Sequence, residues 1–240
     1  MINPPSSADQ FVAQVRVSHA RLLELLAGLD DEQVGQAVDL PGWTRGHVLA
    51  HLADNARAFA RQARRALRGA LVDLYDGGPR ERDRAIARGA TRTAVELREE
   101  LRSAQKSLEA VWDMCTADDW ARPVRFRHAT VLDTVQARWR EAEIHAVDLR
   151  VGYSPRDWSA PFALHALDFL APRTPEGIRL VLRADDIAFT RATGTGALVE
   201  VSGASHDLAA WMAGRAPAGQ LRSSTGTLPE PGPWPPDPAD

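Results

Sequence analysis

Apolar positions recur at helical spacing through the first 150 residues and at strand-like spacing beyond them. In SADQFVAQVRVSHARLLELLAGL, Phe11, Val15, Leu22, Leu25, Leu26 and Leu29 fall near one stripe. This predicts a long first helix with Ser7 as its cap. Asp30 and Asp31 open a loop that runs to Pro41, Gly42 and Trp43. Thr44 has the hydroxyl of an N-cap, so a second helix is expected from Arg45, with Val48, Leu49, Leu52 and Phe59 on its core face. The YDGGP stretch beginning at Tyr75 is a turn by composition. A third helical region over residues 81–114, bent near Gly89, carries Ile86, Val95, Leu97, Leu101, Leu108 and Val111. After the connection WARPVRFRH, the segment TVLDTVQARWREAEIHAVDLR reads as a fourth helix that buries Leu132, Val135, Trp139, Ile144 and Val147. Four amphipathic helices make a bundle.

The pattern changes after Gly152. WSAPFALHALDFLAP reads as a short helix, IRLVLR and ALVEVSG as strands, and IAFTRATG between them as a further strand. SHDLAAWMAGR returns to helix, and PEPGPWPPDPAD is a proline-rich tail. The fold class expected is therefore α+β. A four-helix bundle over residues 1–152 precedes a smaller mixed α/β domain over 153–240, with the boundary between 150 and 158. There is no internal repeat and no coiled-coil heptad.

Composition narrows the function classes. Of 240 residues, 44% are apolar and 25% charged, as in ordinary globular proteins. The 29 basic and 32 acidic residues leave a formal charge of -3, without the concentrated basic surface of a nucleic-acid binder. The basic run RQARRALR is read as a solvated helix face. Cys115 is the only cysteine, so no intrachain disulfide can form; following a long helix, it is read as structural. No stretch approaches the ~20 apolar residues of a membrane helix. MINPPSSADQ lacks the basic and apolar pattern of an export signal, so the cytoplasm is the expected location.

The candidate chemistry lies on two of the helices. Glu141 and His145 are four residues apart and project from one face of the fourth helix; His51 lies on the core side of the second. Together they form a two-histidine, one-carboxylate set with positions left for water or substrate. Such a set suits catalytic zinc and also non-haem iron, and a buried carboxylate requires hydrogen bonds, a charge partner or a metal. For each residue alone, a structural histidine or an ordinary salt bridge from Glu141 to Arg138 or His145 competes with this reading. His47, four residues before His51, is a geometrically possible chelating partner, but its first-turn position favours a supporting role beside the loop. Asn55 and Asp148, one turn beyond His51 and His145, can hydrogen-bond at the pocket or orient a ligand. There is no Gly-x-Ser-x-Gly elbow, P-loop or dinucleotide fingerprint.

At these segments the chain resembles the mycothiol-dependent maleylpyruvate isomerase family, within the wider DinB-like metal-binding bundles. GWTRGHVLAHLADN and RWREAEIHAVDLRVGY resemble its two metal motifs, and YDGGPRERDRAI its intervening arginine segment. The likeness extends through nearly the whole chain, including AAWMAGR. It implies a DinB-like N-terminal bundle with zinc, or another divalent metal, on His51, Glu141 and His145. It also implies active-site arginines at Arg82 and Arg222, the latter placed by the weakly punctuated LRSSTGTLPEP, with Arg215 as its substitute. His47 and Asn55 join these arginines around the thiol and substrate. The chain departs from the family wording at Asp54, where an arginine is usual.

The chemistry implied by the resemblance is reversible addition of mycothiol's thiolate across the cis double bond of maleylpyruvate or a related unsaturated oxo-acid. The bond becomes single, rotates, and reforms trans as the thiol leaves. Glu141 would stay a metal ligand and the arginine forks would hold carboxylate. The partners expected are a low-molecular-weight thiol and a small electrophile, with no nucleic acid and no membrane; the C-terminal domain is expected to complete their pocket. Two other readings stand beside this one: a mycothiol S-transferase or thiol-conjugating enzyme for another electrophile, and a non-enzymatic metal- and thiol-binding module.

Overall fold

Helical periodicity is realised as a bundle. The computed structural model describes residues 7–235, and the chain divides into two compact units, one ending at Gly152 and one beginning at Tyr153. In the first, helix α1 (Ser7–Leu25) packs on α5 (Ala94–Trp112) and α6 (Val131–Asp148), and α3 (Arg45–Ala66) packs on both α5 and α6. The shared core contains Val15, Leu22, Val48, Leu52, Phe59, Leu97, Leu101, Leu108, Val135 and Trp139, all fully or nearly fully buried. Each such apolar side chain contributes roughly 1.5–3 kcal/mol on leaving water.

Local chemistry explains where the structure departs from the pattern. Ser7 is the first residue of α1 instead of its cap. The loop expected after Asp30 contains a one-turn helix, α2 (Asp31–Val34): the Asp30 carboxylate accepts the Gln33 N-H, and the Gln33 side chain accepts from the Asp30 N-H. The expected third helix is two helices, α4 (Gly78–Gly89) and α5. The break lets Thr93 cap α5, with Glu96 closing the reciprocal bond. Gly89 ends α4 where it lies against α3. A Cβ on Gly89 would stand 2.7 Å from the Ala50 Cβ, and one on Gly46 2.6 Å from the Ala90 carbonyl oxygen. Val95, expected in the core, is 63% exposed.

The bundle interior also carries a polar chain. Arg138, fully buried, donates from Nη1 to the Leu52 carbonyl and to Asn55 Oδ1, both at 2.9 Å, and from Nε to His19 Nε2 at 3.0 Å. Guanidinium has only donors, so His19 Nε2 must accept and its proton sits on Nδ1, 2.6 Å from Glu109 Oε1. Burial pushes the His19 pKa down to about 4, against the raising effect of Glu109. His19 is thus neutral at pH 7 and stacks on Trp112.

In the second unit a four-stranded sheet has the order β2-β1-β3-β4, with β1 (Ile178–Ala184) parallel to β3 (Ala197–Gly203). β2 (Thr190–Gly194) and β4 (Arg222–Ser223) pair antiparallel at the edges. Leu180, Leu182, Val199 and Val201 bury alternate positions, and helix α8 (Ser205–Met212) packs on β1, β3 and helix α7 (Ala160–Leu170). β4 was not legible in LRSSTGTLPEP because two residues carry no period. The proline-rich tail is described as far as residue 235, where Trp234 lies over the Arg173 and Arg215 guanidiniums. Among the described residues no helix is long and apolar enough to cross a membrane.

The depressed His19 pKa predicts a pH-dependent stability. Between the unfolded value of 6.5 and the folded value of about 4, the unfolded chain binds more protons. The His19 contribution is therefore complete above 6.5 and lost as the pH falls toward 4, by at most about 3 kcal/mol. Urea unfolding across this window should show a shallower acid loss in His19→Gln, whose amide oxygen can still accept from Arg138. Equal slopes in the two proteins would remove the assignment.

Candidate metal centre and substrate cavity

Three capping and turn devices bring the chemistry together. Thr44 caps α3 as the sequence predicts, and His47 completes the box: its N-H donates to Thr44 Oγ1, and its Nδ1 accepts the Thr44 N-H at 3.2 Å. This commits His47 to the cap. It also holds the loop carrying Trp43, whose ring meets the edge of the His51 ring at 5.7 Å. His51 then faces α6 from the second turn of α3. Gly77, at a left-handed φ of 79°, turns the chain into α4, and Pro79 in the first turn loses no helical bond. One turn later Arg82 reaches back, placing Nη2 3.2 Å from His51 Nδ1.

Glu141 stands between the two histidines. Its Oε2 lies 2.8 Å from His51 Nε2 and 3.4 Å from His145 Nε2, and the two rings are nearly perpendicular at 4.8 Å. One ligand atom from each of the three residues lies within 4.8 Å of the others, the only such cluster among the described residues. His145 Nδ1 lies 2.8 Å from Asp148 Oδ2, so Asp148 orients the ring. Burial works against the Glu141 charge, yet the hydrogen bonds and charges of both histidines hold its carboxyl well below the ordinary carboxylate range. Burial lowers the His51 pKa; for His145, burial is outweighed by Asp148 and Glu141, and the pKa rises.

The donor set fits a divalent metal. Two imidazole nitrogens and one carboxylate oxygen are the ligand types of catalytic zinc, with a fourth position left open. The Asp148 contact reproduces the outer carboxylate that orients a metal-binding histidine. Neutral His51 binding through Nε2 would carry its proton on Nδ1, which then could not accept from Arg82. The Arg82 fork would be released toward another acceptor.

Beside the centre lies a cavity of about 500 Å³ lined by His51, Glu141, Asn55, Tyr75, Arg82 and the apolar Phe59, with Phe126 and Arg125 among its further walls. Arg82 is part-buried, with its guanidinium 5.6 Å from the Tyr75 ring centre. Asn55 is held by Arg138. Asp54 is ion-paired with Arg57, so its acidic charge is compensated locally.

Comparison with known proteins matches residues 15–150 to the mycothiol maleylpyruvate isomerase N-terminal domain and residues 157–233 to the MDMPI C-terminal domain. The chain belongs to the mycothiol maleylpyruvate isomerase family. Among solved structures it is similar to a mycothiol-dependent maleylpyruvate isomerase at a TM-score of 0.86 and 28% identity, over 95% of this chain and 98% of that one. A histidine-to-alanine mutant of the mycothiol-dependent maleylpyruvate isomerase matches equally well at 27% identity, with the same coverage. A protein from Streptococcus pneumoniae shares the fold over 62% of this chain and 92% of its own, at a TM-score of 0.52 and 11% identity. No curated protein matches.

Two other candidates, Arg215 and Arg222, lie in the second unit. Arg222 is in β4, 2.6 Å from Asp185, and Arg215 donates to the Ala213 carbonyl. Cys115 donates weakly to the Val111 carbonyl, and burial pushes its thiol up to about 11, in keeping with a structural role. The His19, Glu109 and Arg138 cluster and the place of Tyr75 in the cavity wall were missed from sequence. A signal for the cluster existed, in an ionisable residue on the apolar face of each of two helices.

If the cluster holds a metal, Asp148→Asn should weaken retention by roughly 10–100-fold, the usual cost of losing an outer-shell partner. Glu141→Gln, which removes a charged donor, should weaken it more. Metal content after dialysis against a graded chelator series reads both; wild-type retention in Glu141→Gln would discard the ligand set.

Proposed function

We propose that this chain is a mycothiol-dependent isomerase that carries a divalent metal, zinc by preference, and converts maleylpyruvate or a related unsaturated oxo-acid from cis to trans. The observation that carries this reading is the His51, Glu141 and His145 cluster opening beside Arg82 on a cavity of about 500 Å³. Family membership and likeness to the isomerase over nearly the full length support it. A bound divalent metal would favour the thiolate form of the thiol at neutral pH.

The chain's own residues supply the rest. With His51 and His145, Glu141 would hold the ion through its carboxylate and offset part of the metal charge. Asp148 fixes His145 by accepting a hydrogen bond from its Nδ1-H. Arg82, released from His51, offers a planar fork to the substrate carboxylate. Phe59 and Phe126, in contact at 5.2 Å, give the cavity an apolar wall that strengthens charge contacts inside it. Thiolate addition forms a C-S bond at one alkene carbon, and the alkene electron pair moves to the conjugated carbonyl oxygen. Rotation about the resulting single bond and reversal of these shifts restore the thiolate and release the trans product, with no net proton transfer.

Transfer of mycothiol to a different electrophile uses the same centre and stops after addition and protonation. Asp54, standing where the family usually has arginine, is the residue that favours this second reading.

Metal-loaded protein should turn over maleylpyruvate only when mycothiol is present. Arg82→Lys should retain metal but lower kcat/KM by on the order of tenfold or more, because lysine has no fork. Stopped assays on the same preparations separate the outcomes: thiol-independent turnover defeats the mechanism, and thiol consumption with other electrophiles but inert maleylpyruvate selects transfer.

A further inference from the structure

Two connections contribute to the cavity wall, one between α3 and α4 and one between α5 and α6, and a single buried amide joins them. Gln62, 2% exposed on α3, donates from Nε2 to the Val72 carbonyl at 2.9 Å and accepts the Phe126 N-H on Oε1 at 3.2 Å. A carbonyl only accepts and an N-H only donates, so this amide has one orientation and both its ends are used. From the same helix Arg61 donates to the Asp73 carbonyl. The second connection is held in a strained shape. Arg127 and His128 take left-handed φ values of 53° and 51°, and the turn is closed by the Val124 N-H donating to the Ala129 carbonyl at 2.8 Å. Strain of this kind in non-glycine residues persists only where the surroundings hold it, and it gathers at functional sites. What this segment delivers to the cavity is Phe126, against Phe59, and Arg125.

Arg82 and Arg125 are the two arginines among the described residues that line the cavity. Arg82 reaches His51, whereas Arg125 pairs with none of the three cluster residues. The Arg125 Nε lies 2.7 Å from Asp73 Oδ1, and its Nη1 and Nη2 have no partner among the described residues. Both side chains of this pair are more than half exposed, at 55% and 68%, so the pair is weak and leaves the guanidinium open to a further anion. Maleylpyruvate carries two carboxylates. One is attached to the alkene and the other ends the pyruvate arm, several bonds from the carbon that the thiolate attacks.

We propose that Arg125 is a specificity-determining residue whose guanidinium holds the carboxylate of the pyruvate arm, while Arg82 holds the one on the alkene. This rests on the isomerase reading and deepens it: the substrate class is a dicarboxylate gripped at both ends. The paired Nη1 and Nη2 groups match the two oxygens of a carboxylate, and Asp73 on the Nε side steadies the side chain without using them. Gln62 acts through Arg125 and is a positioning residue. By pinning the N-H of the next residue, Phe126, to α3, it sets where Arg125 leaves the wall. Its other end ties the same helix to Val72, the neighbour of Asp73, so both members of the ion pair are placed by one amide.

In metal-loaded enzyme with mycothiol, Arg125→Gln should raise KM for maleylpyruvate on the order of tenfold with a much smaller change in kcat, as for a contact made alike in ground and transition states. Arg125→Lys should recover part of the loss, because the charge stays and only the fork goes. The deciding readout is the ratio of kcat/KM for maleylpyruvate to that for its analogue with a primary amide in place of the pyruvate-arm carboxylate. That preference should fall about tenfold in Arg125→Gln and also fall in Gln62→Met, with metal content unchanged. The double variant should lose no more of it than Arg125→Gln alone, since Gln62 works through the arginine. A merely structural role would lower both substrates alike, and that result overturns the proposal. Undiminished preference in Arg125→Gln, with wild-type enzyme active on maleylpyruvate, overturns this proposal alone. Wild-type enzyme inert toward maleylpyruvate with thiol overturns the isomerase reading, and this proposal with it.

Discussion

A carboxylate held ionised between two helices is the constraint around which the first unit is organised. Glu141 gains nothing from apolar neighbours, and its charge persists because His51 on α3 and His145 on α6 both face it. Removing either imidazole would deprive a half-buried charge of one of its two partners. The same contacts tie α3 to α6, elements with 64 residues between them in the chain. A divalent ion satisfies all three groups at once, so the arrangement that stabilises the interface is also the one that can bind metal.

The side chains around this centre are aimed by local backbone devices. The Thr44 and His47 cap fixes where α3 begins, and so fixes the rotation that presents His51 to α6 instead of solvent. The left-handed Gly77 and the close approach of Gly46 and Gly89 seat α4 on α3, which brings Arg82 to His51. A larger residue at Gly89 would push against Ala50 and tilt the arginine away. Precision in the site comes from rigid helix ends and small residues.

The strongest signals in the sequence were periodic or chemical, and these carried the bundle, the strands and the cluster of His51, Glu141 and His145. Thr44 was legible because a threonine before an amphipathic run has one obvious task. His51, Glu141 and His145 were legible because their spacing puts polar groups on faces that otherwise bury leucine and valine. α2 was not, since four residues cannot show a helical period; only the D-D-E-Q wording of its capping box pointed to it. The irregularity at Gly89 was legible as a bend but not as a full break, because α4 and α5 are both amphipathic and the interruption needs three-dimensional contact with Ala50 to explain it. Val95 failed for a related reason: the first turn of a capped helix can expose a β-branched residue that periodicity alone assigns to the core. Tyr75 was hidden by its own neighbours, because the glycines and proline that make the turn account for the stretch without asking where the aromatic ring goes.

Arg138 shows why the bundle's stability and its chemistry cannot be separated. A methionine of similar length would fill its volume, and replacing a buried ionic group by a well-packed apolar one is often neutral for stability. Here the guanidinium does more than fill space. It takes up the Leu52 carbonyl, the His19 ring nitrogen and the Asn55 oxygen together, leaving the Asn55 amide only one orientation. An apolar replacement would free that amide to turn over in the cavity wall. The helices could remain packed while the atom that Asn55 presents there changed. A buried cation, its pKa lowered by burial to about 10, thus fixes the orientation of a polar group in the cavity wall.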